Sequence, residues 1–192
     1  MSRRSVQIKA ILSMGILVGL GAVSTLAAWT GTATATSSIT AAKVSLGVGA
    51  TASGATSASY TVPLSSVNWY PKVSAAAIVV VKNTSSVSLP YSIKGSITES
   101  DGAELGKAME VVVKTGSSVS GTVPNATCSG SAKTLEKSPG SAFSADAKSL
   151  GELAAGATET FCVQYSLPEN AANNLQGATT KVDLVFTGTV GT

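Results

Sequence analysis

Ala75-Ala76-Ala77-Ile78-Val79-Val80-Val81-Lys82, then Asn83 to Ser86, then the alternating Val87, Leu89, Tyr91, Ile93 and Ile97: this stretch decides the fold. Residues 75–82 are the most apolar run outside the N-terminus and are long enough for a central strand. Their Ile and Val side chains, branched at Cβ, suit a pleated, buried surface. Asn83 to Ser86 supply turn chemistry. The residues beyond repeat with period two, which places one apolar face on a partner strand.

The same pattern continues outward on both sides. Residues 43–48, Lys-Val-Ser-Leu-Gly-Val, alternate cleanly and are expected as the first core strand. Residues 49–59 are rich in Gly, Ala, Ser and Thr, a loop. Tyr60-Thr61-Val62 and Val67-Asn68-Trp69-Tyr70 flank Pro63 and stop at Pro71, giving short strands or an edge. Downstream, Asp101-Gly102 signals a turn, residues 104–109 one helical turn, and residues 110–114 a strand. Residues 115–148 read as a long decorated loop containing Cys128, and residues 150–156 as the approach to a turn. Residues 158–167 alternate again, Pro168 opens a short helix over 169–176 ended by Gly177, and residues 181–187 form a terminal strand. Short strands, frequent turns and almost no helix predict an all-β fold: an antiparallel β-sandwich, jelly-roll or immunoglobulin-like, over residues 43–192.

Residues 1–28 have a different character. Arg3, Arg4 and Lys9 form a basic head, residues 10–28 carry no charge, and Ala27-Ala28 precede Trp29. Such a basic head, apolar segment and small-residue exit predict a cleavable signal peptide and export. A permanent anchor is the alternative, since the apolar run approaches the ~20 residues a span requires; it would keep the protein on the membrane through the uncleaved segment. Ser2-Arg3-Arg4-Ser5-Val6 also echoes a twin-arginine signal, although Gln7 falls where an apolar residue is usual.

Ile11-Leu12-Ser13-Met14-Gly15 and the run from Gly19 through Ala27-Ala28-Trp29-Thr30 resemble the alternate signal peptide served by a dedicated SipW-type signal peptidase. Phe161-Cys162-Val163, Leu167-Pro168, Leu175-Gln176-Gly177 and residues 182–186 are similar to the C-terminal half of the TasA and camelysin family of biofilm matrix proteins. The middle of the chain carries no such resemblance. The resemblance implies cleavage between Ala28 and Trp29, with Ala33-Thr34-Ala35 as a conventional competitor site. It implies a secreted or cell-surface structural protein with a SipW-type peptidase as partner, forming a homo-oligomer or fibre. A monomeric exported binding or adhesion module is the alternative. Residues 29–42 place Thr30, Thr32, Thr34 and Thr36 opposite Gly31, Ala33 and Ala35. Residue chemistry favours a disordered tail here; the resemblance implies a donor strand that pairs only with another molecule.

Arg3, Arg4 and Lys9 are three of the thirteen basic residues, so bases and acids balance once residues 1–28 are removed. No argument for nucleic acid survives. Acids begin only at Glu99: residues 99–192 carry all ten against six lysines. Strand interleaving would mix the two halves in space; the alternative is a polar distribution used head to tail. Cys128 and Cys162, an even pair in an exported chain, are expected to form a disulfide; two free thiols are the alternative.

The chain has no histidine, which excludes Ser-His-Asp and Cys-His catalysis and the His-containing zinc motifs. Two cysteines alone cannot complete a usual zinc shell. Glu99, Asp101 and Glu104 form the tightest acid cluster and could hold a hard cation, but they read more simply as a solvated turn. Asn83-Thr84-Ser85 and Asn125-Ala126-Thr127 match glycosylation sequons. No enzyme, cofactor or metal is expected.

Overall fold

The computed structural model describes residues 7–9, 36–64, 68–130 and 133–190. Met1–Thr40 and Ala41–Thr192 form separate compact units. In the first, residues 7–9 are helical and residues 36–40 are exposed without regular structure. The basic head at Arg3 and Arg4, the apolar run, the junction at Ala28 and Trp29, the competitor site and the start of the expected donor strand lie outside the described residues. Among the described residues no helix is long and apolar enough to cross a membrane.

The second unit is all-β and antiparallel. One sheet has the order β1 (Leu46–Gly49), β2 (Ser74–Asn83), β9 (Thr158–Ser166), β4 (Glu110–Thr115) and β7 (Leu135–Lys137). A second has β10 (Thr180–Gly188), β3 (Leu89–Glu99) and β8 (Lys148–Leu153). A small hairpin joins β5 (Val119–Ser120) to β6 (Thr127–Cys128), and one helical turn, α1, spans Leu105–Ala108. The Ile/Val run of β2 is central, paired with β1 on one side and with β9 on the other.

One apolar core is shared by both sheets. Val79 and Val81 of β2, Phe161 and Val163 of β9, and Val111 and Val113 of β4 meet Tyr91 and Ile93 of β3. Each such side chain contributes roughly 1.5–3 kcal/mol when fully buried. Phe161 and Phe186 tie the sheets together, their ring centroids 5.2 Å apart and tilted by 44°. Tyr91 donates to the Glu159 carboxylate across the same space, and burial raises the Glu159 pKa. The order of strands interleaves early and late segments: β2 lies beside β9, and β3 lies between β10 and β8. The lysine-only first half is thereby mixed with the acidic second half.

Asn83 builds the corner between β2 and β3. It is fully buried, its Nδ2 donating to Val87 O and Leu153 O at 2.8 Å each and its Oδ1 accepting from Ser85 N at 2.9 Å. With its amide nitrogen spent on two carbonyls, the folded domain offers no glycan acceptor at this sequon. At β1, Leu46 and Val48 point inward while Gly47 and Gly49 lie under the backbone of residues 54–56. A Cβ at Gly47 would sit 2.3 Å from Ala55 O, and one at Gly49 2.5 Å from Gly54 O. No side chain fits at either position.

Several expectations are corrected. The first core strand starts at Leu46, because Lys43 and Ser45 bond instead to the turn after β2, through Ser86 N and Thr84 N. Tyr60–Val62 and Asn68–Tyr70 pair with neither sheet; Val67 lies outside the described residues. The supposed loop over 115–148 contains β5, β6 and β7, and β8 begins at its end, strands too short or too polar to show alternation. The helix expected over 169–176 is a single 3-10 turn, Asn173–Leu175, with no side-chain cap.

Candidate functional site

The two sheets do not close along the side bounded by β1 and β10. A cavity of about 1270 Å³ opens there. Leu46 and Val48 of β1, Val79 of β2 and Tyr165 of β9 form one wall; Val182, Leu184 and Phe186 of β10 form the other. Leu105 and Met109, at the two ends of α1, also contribute to the lining, and Tyr60, Val62, Leu64 and Trp69 cross the outside. Burial, with the nearby Asp183 charge adding to it, pushes the Tyr165 phenol up to about 12.

The two edges beside the cleft differ. Val48 N donates to Ser57 O at 2.8 Å, so the returning loop bridges β1. β10 has no such cover: from Lys181 to Thr187 its main chain bonds to β3 and to no other described residue. Lys181 and Asp183 pair at 2.9 Å beside this edge and contribute to the cleft lining. An unpaired, partly apolar edge beside an apolar cleft can accept an added strand through its ladder groups.

Cys128 and Cys162 are bonded, with Cα atoms 5.6 Å apart. Cys162 lies on the outer face of β9, so the bond staples the β5–β6 hairpin to the outside of the larger sheet, away from the cleft. Gln164 Oε1 accepts from Cys128 N at 2.9 Å, and Ser74 N donates to Pro124 O at 2.7 Å. Closing a loop with a sequence separation of 34 should stabilise by about 3–4 kcal/mol in the chain-entropy model. Reduction is therefore expected to lower the melting temperature by roughly 10 °C, at about 2–4 °C per kcal/mol. Calorimetry with and without reductant checks this; an unchanged transition would sink it.

The acid cluster is dispersed into separate tasks. Asp101 accepts from Thr179 N and Ala103 N, which together hold its carboxyl below the ordinary range. Glu104 pairs with Lys107 Nζ at 3.1 Å, and Glu99 Oε1 accepts from Lys107 N at 2.9 Å. Among the described residues no three His, Cys, Asp or Glu side chains converge as metal ligands.

Lys137 was not legible as special. It lies on the inner face of β7, is 1% exposed, and donates to the carbonyls of Gly106, Lys107 and Met109. Those carbonyls belong to the end of α1, where helical partners run out. The ammonium thus fixes the turn that carries Leu105 and Met109 into the cleft. Burial pulls the Lys137 pKa down from 10.5 to about 8, opposed by the Glu99 charge. The unfolded chain therefore binds the extra proton between about pH 8 and 10.5. Stability from this group is expected to rise with pH across that window. Urea titrations at both ends of the window should show that rise in wild type and a smaller one in Lys137→Met, which also loses stability at neutral pH.

No family model matches the chain, and comparison with curated proteins finds no match.

Proposed function

We propose that this chain is an exported structural protein of the bacterial cell surface or biofilm matrix. Its β-sandwich, jelly-roll or immunoglobulin-like in kind, polymerises by receiving the N-terminal strand of another copy. The observation that carries this reading is the cleft of about 1270 Å³, with apolar inner walls, lying beside the edge of β10 that has no partner among the described residues. Residues 29–42 supply a segment of matching character: β-branched on one face, small on the other, and long enough to run beside the seven residues of β10 from Lys181 to Thr187. Residues 36–42 of that segment are exposed and carry no regular structure in the single chain. The disulfide accords with an oxidising compartment, and a SipW-type peptidase is the processing partner.

Sedimentation and electron microscopy of protein collected from the medium test the reading. Filaments are expected; a monomer under every secretion-like condition would leave the monomeric binding or adhesion module in its place. Sequencing the exported protein should find Trp29 first, and a bulky residue at Ala28 should leave precursor in the membrane. A terminus at Thr36 would point to the conventional site, and an unprocessed terminus to an anchor.

A further inference from the structure

The segment crossing the outside of the cleft has the side-chain pattern of a strand and the backbone of none. Tyr60, Val62 and Leu64 are partly buried against the core while Thr61 and Pro63 are exposed; Trp69 packs against the same core. From residue 58 to 64 the only main-chain bond among the described residues is local, Leu64 N to Val62 O at 2.8 Å. The segment is pinned just outside these limits, at Ser57 O by Val48 N and at Lys72 N by Leu167 O, 2.8 and 2.9 Å. Between the pins, the described residues hold to the cleft by side chains alone. Facing it, the free edge of β10 has ladder groups with no described partner.

We propose that residues 58–64 and 68–71 form a resident placeholder, which covers the cleft in the lone subunit and lifts when a strand from another copy pairs with β10. The inference rests on the strand-exchange reading above and adds how the acceptor site is kept covered before assembly. Lifting the described strap residues breaks apolar contacts but no sheet hydrogen bonds. The incoming strand lays threonine methyls and small residues over the cleft and adds a ladder along β10, so the exchange gains main-chain bonds that the described strap residues do not make. An apolar groove left bare in solution would be an aggregation site, and the strap removes that hazard.

The chain has two tryptophans, so in the Trp29→Phe protein Trp69 is the sole indole. A synthetic peptide of residues 29–42, also carrying phenylalanine at its first position, is added to that full-length monomer. Hydrogen exchange over residues 181–187 is expected to slow roughly tenfold or more as the edge pairs. Trp69 emission is expected to shift red, with several-fold stronger acrylamide quenching, as the strap lifts. Slowed exchange on β10 with Trp69 unchanged or better shielded would overturn the placeholder and leave strand exchange standing. Unchanged exchange on β10 would overturn both. As a second measurement, Val62→Ser with Leu64→Ser should shorten the lag of assembly; a longer lag would mark the strap as a support that the acceptor needs.

Discussion

Deletion of residues 29–40 is expected to abolish filaments outright while leaving the core domain folded, and Ala33→Pro with Ala35→Pro should do the same without shortening the chain. The expected loss is complete because a head-to-tail contact either propagates or does not. All the core residues described above lie in the unit Ala41–Thr192, so the deletion removes none of them. Proline removes a ladder donor where the N–H faces β10, so prolines at the alternate positions 33 and 35 weaken the donor's pairing without altering the acceptor. Circular dichroism and the melting transition should match wild type; sedimentation and micrographs should not. Mutants that polymerise as well as wild type would remove the N-terminal strand from the mechanism.

The largest single-residue effect on stability is expected at Asn83. Asn83→Ala deletes three side-chain hydrogen bonds, two of them buried, and leaves the carbonyls of Val87 and Leu153 short of donors. Unsatisfied buried groups cost about 1–3 kcal/mol each, so a loss of roughly 3–5 kcal/mol is expected. At about 2–4 °C per kcal/mol, the melting temperature should fall by 10 °C or more. Asn83→Asp keeps the acceptor for Ser85 N but loses both donors and should rescue little. A shift within about 2 °C for the alanine variant would show that water replaces these bonds.

Strand β2 was legible because its Ile/Val run needs two-sided cover, and β3, β9 and β10 because alternation reports a surface buried on one face. Segments without either signal were misread. Leu135-Glu136-Lys137 looks like polar loop, since the second inward position is a lysine whose burial makes sense only once the carbonyls of α1 surround it. Tyr60-Thr61-Val62 carries the alternation of a strand, yet its backbone finds no sheet edge, because periodicity reports which side chains are covered and not what the main chain bonds to. The disulfide partners were readable by elimination, there being only two cysteines; that the bond faces away from the cleft was not.

By itself the sequence determined the all-β, antiparallel character, the four main strands and the absence of any histidine chemistry, because these follow from local spacing and residue type. Tertiary structure alone decided that β1 and β10 end up as neighbouring edges, with a cleft between them and, among the described residues, a bridge on β1 alone. That outcome depends on strand order and on which free edge the loop after β1 returns to, contacts between residues far apart in the chain that no local pattern encodes.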